Sequence, residues 1–464
     1  MICLKCLKNI FFRKKDDSVL VGKGFALDDI KKDNLVDIKL QESNRVNHMF
    51  IFGAPGVGKT RLLENFIEQD IPKGHSIVII DPKGDIDLLS KVYQVAISCG
   101  REDDLMFLSH IFPQYSIKIN PLAHYYMEDE IIDHIMAGVP ADDDFFYNVA
   151  KETTTVIVRG RLILRKYTNR LDEPLTFKEI AKYAYYEGLK QIQNDLKAVN
   201  NQSLQKDKEF VLNLLEQVLS SPQDYFSKVS STLRTTLTAM TSGNVGKIIG
   251  NAESNVFIDR LENDEPIILY VMTGSLLARD ASPIVNKVTL SMIQSSVGRI
   301  YSSGRKYSHR LNIFIDEAAS AVYQGIETLP AQGRGANVAM HFITQSFADM
   351  VAIIGEDRAR RLLDLTSTKI IMRLNEEESA RIVSGYGGKI KSFSPMLNMN
   401  GGIMTREVEE IAIKTEDVLR LKKREFFYFG FEGEFKGKTA RVEPTEIMIQ
   451  MPDVLSDGKI RERG

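Results

Sequence analysis

Six short runs of apolar residues recur along the chain, separated by longer stretches with helical spacing. They occupy positions 46–52, 75–80, 266–272, 311–315, 338–344 and 368–374. A run that is apolar at every position is typical of a strand buried on both faces of a parallel sheet, because helices cover both sides of such a sheet. The pattern therefore predicts an α/β fold with a mostly parallel central sheet.

The stretch from about 124 to 245 has a different pattern. Its apolar residues recur every three or four positions in three groups, from Ile131 to Val139, from Phe177 to Leu196 and from Val211 to Leu219. This spacing is that of one helix face, and Thr176 with Glu179 has the spacing of a capping box. We therefore expect an all-α domain inserted into the α/β core. After residue 425, EFFYFGFEGEFKGKTARVE predicts a C-terminal hairpin with glycine in its turn.

Composition narrows the class of protein. The 464 residues carry 60 Lys and Arg against 62 Asp and Glu, a net charge of −2, which excludes a uniformly basic nucleic-acid coat. Any DNA contact would come from a local patch or an assembly channel. Three cysteines cannot form a disulfide framework and favour a reducing, cytoplasmic location. No stretch approaches the ~18 to 20 apolar residues that a membrane span needs.

The first fifteen residues, MICLKCLKNIFFRKK, mix bulky apolar side chains with cations and contain no acid. The five cations are Lys5, Lys8, Arg13, Lys14 and Lys15. Two interpretations stay open: a peripheral segment that contacts an anionic membrane surface, or a frayed tail or small packing element. Cys3 and Cys6 lack a second pair at zinc spacing, so the sequence supports no metal beyond the Mg²⁺ discussed next.

Residues 53 to 60 read GAPGVGKT, a match to G-x-x-x-x-G-K-[ST] placed between an apolar strand and a helical pattern. In such a loop, backbone N–H groups wrap phosphates, Lys59 reaches the β and γ oxygens, and Thr60 supplies a hydroxyl to Mg²⁺. The sequence thus predicts an ATP and Mg²⁺ site formed by Gly53, Ala54, Pro55, Gly56, Val57, Gly58, Lys59, Thr60 and Arg61.

A second signal is the apolar strand LNIFI, which leads into Asp316 and Glu317. This is the pattern of a Walker B segment, in which Asp316 would hold the Mg²⁺ shell and Glu317 would polarise the attacking water. Open α/β sheets place their ligands at the carboxyl ends of strands. The next apolar strand ends before Gln345, which could sense the γ-phosphate or orient water; the alternative is a capping amide.

Arg334 lies in a turn flanked by Gly333 and Gly335. A guanidinium there could project toward a neighbouring subunit and assist phosphoryl transfer in trans; the alternative is a solvated arginine. The run GRIYSSGRKYSHR (298 to 310) is basic, contains two tyrosines and has no acid. It is a candidate DNA contact, against the alternative of a solvated loop.

The order of these segments resembles the TraD/TraG-type coupling ATPases of type IV secretion and conjugation, which are related to the DNA translocases FtsK and HerA. The resemblance covers about residues 20 to 450 and rests on GAPGVGKT, IIDPKGD (79 to 85), STLRTTLTAMTSGNVGKIIG (231 to 250), FIDEAAS and GRGANVAMHFITQS. It implies a RecA-like P-loop core that carries an all-α domain.

Carried onto this sequence, the resemblance implies that Lys59 and Thr60 hold phosphate and Mg²⁺, and that Asp316 and Glu317 form the Walker B pair. It also implies that Arg334 acts in trans and that Gln345 is a coupling glutamine. Asp81, Lys83 and Asp85 match a family signature whose chemistry the sequence leaves open. The predicted organisation is a basic segment (1–20), the first part of the RecA-like domain (21–123), the insertion (124–245), the second part with Walker B (246–450) and a tail (451–464).

The function predicted from the resemblance is an ATP-driven motor, a homo-hexamer that pumps DNA or a DNA–protein complex into a secretion channel. Relaxase or channel proteins would be its partners, and the cytoplasmic face of the inner membrane its location. The family's N-terminal transmembrane anchor is not found in this sequence, so a membrane-anchored partner or contact through residues 1–15 would replace it. Two rivals stay open: a soluble FtsK/HerA-like DNA translocase, and an ATP-switched receptor or adaptor for protein substrates.

Overall fold

The computed structural model describes residues 17–28, 34–141, 143–397, 403–455 and 460–461. Of residues 389–410 it describes the backbone alone, where they fall within these ranges. The strands are β1 (Ser18–Ala26), β2 (Val36–Gln41), β3 (Met49–Phe52), β4 (Ser76–Asp81), β5 (Leu105–Leu108), β6 (Ile268–Met272), β7 (Leu311–Asp316), β8 (Val338–Thr344), β9 (Thr368–Met372), β10 (Lys389–Leu397), β11 (Ile403–Ile411), β12 (Glu425–Gly430), β13 (Gly433–Thr439), β14 (Asp453–Val454) and β15 (Ile460–Arg461).

The helices follow one another without an intervening strand between β5 and β6, and elsewhere they lie between strands. They are α1 (Glu42–Arg45), α2 (Lys59–Asp70), α3 (Ile86–Ser98), α4 (Glu128–Ala137), α5 (Asp144–Tyr167), α6 (Phe177–Tyr183), α7 (Tyr186–Ala198), α8 (Gln205–Leu219), α9 (Gln223–Val229), α10 (Ser231–Thr241), α11 (Gly243–Val245), α12 (Val256–Glu262), α13 (Ala281–Ser302), α14 (Thr328–Gln332), α15 (Phe347–Ile354), α16 (Glu356–Asp364), α17 (Glu377–Ser384) and α18 (Thr415–Leu419).

The chain divides into two compact units, each built from two separate parts of the sequence. Unit one comprises 1–69 and 366–443, and unit two comprises 70–365 and 444–464. In unit one the strand order is β2-β1-β13-β12-β9-β3. The β3–β9 pair is parallel and the other pairs are antiparallel. The β12–β13 pair is the expected C-terminal hairpin, with Gly430 and Gly433 at its turn.

Unit two contains a fully parallel sheet with the strand order β8-β7-β4-β6-β5. Every residue of its four longer strands, β4, β6, β7 and β8, is buried, which is why their sequences are mostly apolar and do not alternate with polar residues. Between β5 and β6 the described regular elements are helices, α4 to α12 with short 3₁₀ and π turns. The predicted α/β class, with a parallel sheet, a helical insertion and a C-terminal hairpin, is confirmed.

Several element boundaries differ from the sequence-based expectations for identifiable reasons. The run 46–52 forms a strand only from Met49, because His48 has a left-handed φ of 62° and its N–H closes a turn onto the Arg45 carbonyl at 2.9 Å. The apolar spacing from Phe177 to Leu196 is divided between α6 and α7. Thr176 does cap α6, accepting the Glu179 N–H at 3.2 Å.

The capping box is incomplete, because the Glu179 carboxylate bonds to Arg161 Nε at 2.7 Å and to Arg165 instead of returning to the cap. Strands β1, β2 and β5 have no counterpart among the six predicted runs. Within the described part of the chain, each helix is too short or too polar to span a lipid bilayer.

Candidate active site

The phosphate-binding motif forms the connection between β3 and α2 in unit one. Gly56 and Gly58 have φ values of 74° and 112°, a left-handed backbone that favours glycine. They allow the loop to turn back before α2 begins at Lys59. The helix N-terminus then points its N–H groups toward the loop, as anion binding requires.

Lys59 lies inside this loop rather than in solvent. Its side chain is buried, and its Nζ donates to the carbonyls of Gly53 at 2.5 Å and Ala54 at 3.0 Å. Thr60 is half-buried at the second position of the helix. Arg61 is exposed and pairs with Glu64 along the helix surface at 2.6 Å. The structure therefore places the Lys59 ammonium inside the loop, whereas the Arg61 guanidinium pairs with Glu64 on the surface of α2.

Arg424 supports the loop from the segment before β12, and no sequence motif points to it. Its backbone N–H donates to the Val57 carbonyl at 2.9 Å. Its side chain lies against Gly58, where a Cβ would be 3.3 Å from Arg424 Cγ. Arg424 itself has a φ of 71°, and its guanidinium bonds to the carbonyls of Thr439 and Ala440 at 2.9 and 2.7 Å. These contacts fix the loop against the C-terminal hairpin.

In unit two, three predicted residues meet at the carboxyl ends of β7 and β8. Asp316 ends β7 with 1% of its surface exposed, and Glu317 follows, half-buried, with a left-handed φ of 80°. Gln345 follows β8, and its amide donates to the Glu317 carboxylate. The Glu317 N–H also bonds to the Ile343 carbonyl at 3.1 Å. The structure thus brings Asp316, Glu317 and Gln345 to one edge of the parallel sheet.

Arg334 does not join this group. It is exposed in the short 3₁₀ turn Gly333–Ala336, immediately before β8. Seven residues of β8 separate that turn from Gln345, a length of about 20 Å at strand rise. Gly335 packs so closely on Tyr301 that a Cβ there would lie 2.3 Å from the ring. Within its own chain, Arg334 therefore lies at the opposite end of β8 from Gln345.

The turn after β4 explains the DPKGD signature. The buried Asp81 carboxylate accepts the N–H groups of Lys83, Gly84 and Asp85 at 2.9, 3.0 and 2.6 Å, and the Tyr270 hydroxyl at 2.7 Å. Burial raises the pKa of Asp81 above its usual range, and the hydrogen bonds from Tyr270 and Asp85 oppose that rise. Burial and the neighbouring Asp81 likewise raise the pKa of Tyr270.

The other two charged residues of the signature act on either side of this turn. Asp85 caps α3 by accepting the N–H groups of Asp87 and Leu88 at 3.0 and 3.1 Å. Lys83 reaches Asp316, the predicted Walker B residue, with Nζ 3.3 Å from Oδ2. The sequence could not reveal this pair, because the two residues are far apart in the chain and meet only through the parallel β4–β7 register.

The basic run 298–310 is largely structural. Arg299 bonds to the carboxylates of Glu130 and Glu262, and Tyr307 and Arg310 are buried. These three side chains are therefore engaged within the chain and are not available to DNA in this structure. The run is also not a simple solvated loop, because α13 continues to Ser302.

Two protein-family models match the parts of the chain that contain the predicted site residues. A model of the central domain of the helicase HerA matches residues 29–255, which include the phosphate-binding loop. A model of the TraM recognition site of TraD and TraG matches residues 310–404, which include Asp316, Glu317, Arg334 and Gln345. The resemblance to TraD/TraG-type coupling ATPases is confirmed.

The chain is also similar to individual coupling proteins, to one in sequence and to another in fold. A segment of 62 residues is 39% identical to the type 4 coupling protein DotL of Legionella pneumophila; the match covers 13% of this chain and 8% of DotL. The bacterial conjugative coupling protein TrwB has a similar fold, with a TM-score of 0.65 at 15% identity over 96% of this chain and 94% of that chain.

TrwB structures have also been solved with ADP and Mg²⁺ and with non-hydrolysable GTP and ATP analogues. VirB4 of Thermoanaerobacter pseudethanolicus is similar at a TM-score of 0.53 and 14% identity, over 92% of this chain and 97% of that one. The RecA-like P-loop core expected for a coupling ATPase is thus confirmed as the fold of this chain.

Proposed function

We propose that the protein is an ATP-driven coupling protein that recruits DNA, or a DNA–protein complex, and pumps it into a type IV secretion or conjugation channel. One observation carries this proposal. The HerA model matches the part of the chain that contains the phosphate-binding loop, and the TraD/TraG model matches the part that contains Asp316 and Glu317.

In the proposed reaction, Lys59 leaves its carbonyl partners and binds the β and γ phosphate oxygens. Thr60 and Asp316 offer a hydroxyl and a carboxylate, the hard oxygen donors that Mg²⁺ prefers. Mg²⁺ would neutralise charge that develops on the phosphates. Glu317 orients and deprotonates the attacking water, and Gln345 positions the Glu317 carboxylate through the hydrogen bond already present.

We assign Arg334 to the active site of a neighbouring subunit, within a homo-hexamer. Its exposure and its place before β8 support this assignment, because its guanidinium lies away from the carboxyl edge of its own sheet. Relaxase or secretion-channel proteins would be partners, and the family model for a TraM recognition site supports a docking role for residues 310–404. We place the protein at the cytoplasmic face of the inner membrane.

A soluble HerA-like DNA translocase is the second candidate, favoured by the HerA match over residues 29–255. The two candidates share ATP hydrolysis and differ in whether secretion-channel partners are needed. Co-purification with relaxase or channel proteins would favour the coupling protein, and full DNA translocation without them would favour the translocase.

The deciding experiment measures phosphate release with and without double- and single-stranded DNA of unrelated sequences. We expect DNA to stimulate hydrolysis, and the apparent DNA affinity to fall steeply with salt, because contacts to phosphates release counterions. Lys59→Ala is the control for contaminating ATPase activity. Stimulation by a protein substrate alone, with no response to DNA at low salt, would replace the motor by an ATP-switched receptor or adaptor.

A further inference from the structure

The turn between β4 and α3 holds a lysine against the carboxylate that we assign to the metal. Lys83 Nζ lies 3.4 Å from Oδ1 and 3.3 Å from Oδ2 of Asp316, so the ammonium faces both oxygens. The Asp316 side chain is 2% exposed, whereas the Lys83 side chain is 44% exposed. A buried carboxylate is costly unless a cation or hydrogen-bond donors compensate its charge. Lys83 supplies that compensation.

The backbone around Lys83 is built to hold it there. Asp81 binds the N–H groups on three successive residues, including that of Lys83 itself. Gly84 has a left-handed φ of 77°, which lets the chain turn directly after the lysine. The hydrogen bonds to Asp81 and the turn at Gly84 therefore hold the Lys83 backbone in place. Its long, half-exposed side chain can still rotate toward solvent.

Mg²⁺ and an ammonium group are alternative partners for the same two oxygens. Mg²⁺ would bind this carboxylate directly or through its own tightly held waters, and Lys83 Nζ lies against the same two oxygens. Two cations on one carboxylate would also repel each other. We therefore expect a metal at Asp316 to weaken or displace the contact with Lys83.

We propose that Lys83 is a built-in counterion that neutralises Asp316 in the metal-free state and competes with Mg²⁺ for it. The inference rests on the proposed function, because it takes Asp316 as a metal-binding residue. Lys83 then raises the Mg²⁺ concentration that half-saturates the nucleotide-bound protein. Release of Lys83 from Asp316 links metal binding to the turn that precedes α3.

The test titrates Mg²⁺ into full-length protein bound to a fluorescent ADP derivative and compares the wild type with Lys83→Met. Removing the competing cation should lower the Mg²⁺ midpoint by about fivefold or more, the lower end of typical coupling between sites. Lys83→Arg keeps the positive charge and should stay within about twofold of the wild type. The rise in unfolding temperature on adding Mg²⁺ with ADP is the second readout and should be larger for Lys83→Met.

Lys23→Met is the matched control, because Lys23 forms an exposed pair with Asp37 at 3.4 Å in unit one, and it should not shift the midpoint. If Lys83→Met lowers the unfolding temperature of the free protein, Lys83→Gln repeats the measurement with a polar side chain and should shift the midpoint in the same direction. A midpoint unchanged or raised in Lys83→Met, with ADP binding intact, would overturn the inference alone. A wild type that binds no ADP derivative with or without Mg²⁺ would overturn the proposed function as well.

Discussion

Lys59 and Glu317 occupy their positions by different physical means. The buried Lys59 ammonium is solvated by carbonyls of its own loop, so phosphate oxygens can replace those partners without burying a new charge. Glu317 is a non-glycine residue in the left-handed region, a conformation that costs on the order of 1 to 3 kcal/mol and often marks a functional position. Lys59 is therefore suited to binding phosphate, and Glu317 is suited to a step that needs a carboxylate held in one position.

The two roles should separate on mutation. Lys59→Ala should weaken nucleotide binding, because it removes the charge that holds the phosphates. Glu317→Gln should bind nucleotide normally but hydrolyse it about 100-fold or more slowly, because an amide cannot accept the proton of water. Nucleotide affinity and phosphate release are measured for both. Full turnover by Glu317→Gln would remove this residue from the catalytic assignment.

Lys59 and Glu317 could be singled out from the sequence because each lies beside an apolar strand that the sequence itself defines. Sequence reasoning could not find Arg424, whose contact with the P-loop depends on a backbone turn from a distant segment. It also left Lys83 without a role, because a lysine in a polar turn carries no signal of its partner. Local motifs identify the chemistry, and strand register decides which distant side chains join it.

At the scale of helices, the contact between α4 and α13 contains a buried histidine whose protonation would disturb the packing. His134 is buried, and its Nδ1 lies 2.8 Å from Ser291 Oγ. Burial, assisted by the positive charge of Arg299, lowers the pKa of His134 from 6.5 to about 3. The neutral imidazole is thus part of the packing between the insertion and the helix that precedes β7.

This histidine should make unit two less stable in acid. The unfolded chain takes up a proton near pH 6.5 and the folded chain does so only near pH 3, so the unfolded state binds more protons between these values. Stability is complete above the unfolded pKa and falls as the pH drops, by about 2 kcal/mol at about pH 5. Urea unfolding followed by circular dichroism measures the slope.

His134→Gln should flatten that slope even if it lowers stability at neutral pH, because it removes the titrating group. Ser291→Ala keeps the buried histidine and should keep the slope. Parallel curves for the wild type and His134→Gln would show that the acid sensitivity arises elsewhere.

At this scale the sequence predicted the buried parallel strands better than the helices and the edge strands. Strand β8 is mostly apolar and buried throughout, so its bounds coincide with the run 338–344. Strand β1 contains Gly22, Lys23 and Gly24, a combination that local pattern does not identify as a strand. It becomes one because β2 and β13 pair with its two edges, which is information that only the folded chain contains.

For the whole molecule, the proposed in-trans role of Arg334 requires an assembly. If each active site borrows Arg334 from a neighbour, Arg334→Ala subunits should poison rings in mixtures with the wild type. Mixing Arg334→Ala with Lys59→Ala should restore activity at about a quarter of the interfaces, because the two defects lie on opposite sides of each interface. Phosphate release from the mixtures is measured over a dilution series. Activity independent of concentration, with no complementation, would place Arg334 in cis or outside the site.

The basic segment 1–15 lies outside the described residues, and its role stays a prediction. If it contacts the membrane, it should bind anionic vesicles, with each of its five cations contributing up to ~1 kcal/mol near the surface. Co-sedimentation of the full chain should fall with salt and exceed that of a form lacking residues 1–15. Equal partitioning of the two forms would favour the tail or packing interpretation.

The register of β1 against β13 has a consequence for biosynthesis. Gly22 pairs with Thr439, about 400 positions later in the chain. At ribosomal rates of ~5 to 20 residues per second, β13 emerges on the order of 20 to 80 s after β1. Throughout that interval one edge of β1 lacks its partner strand, and an unpaired edge is a template for association with other chains. Nascent chains of this protein should therefore depend on chaperones until the ribosome has passed the final hairpin.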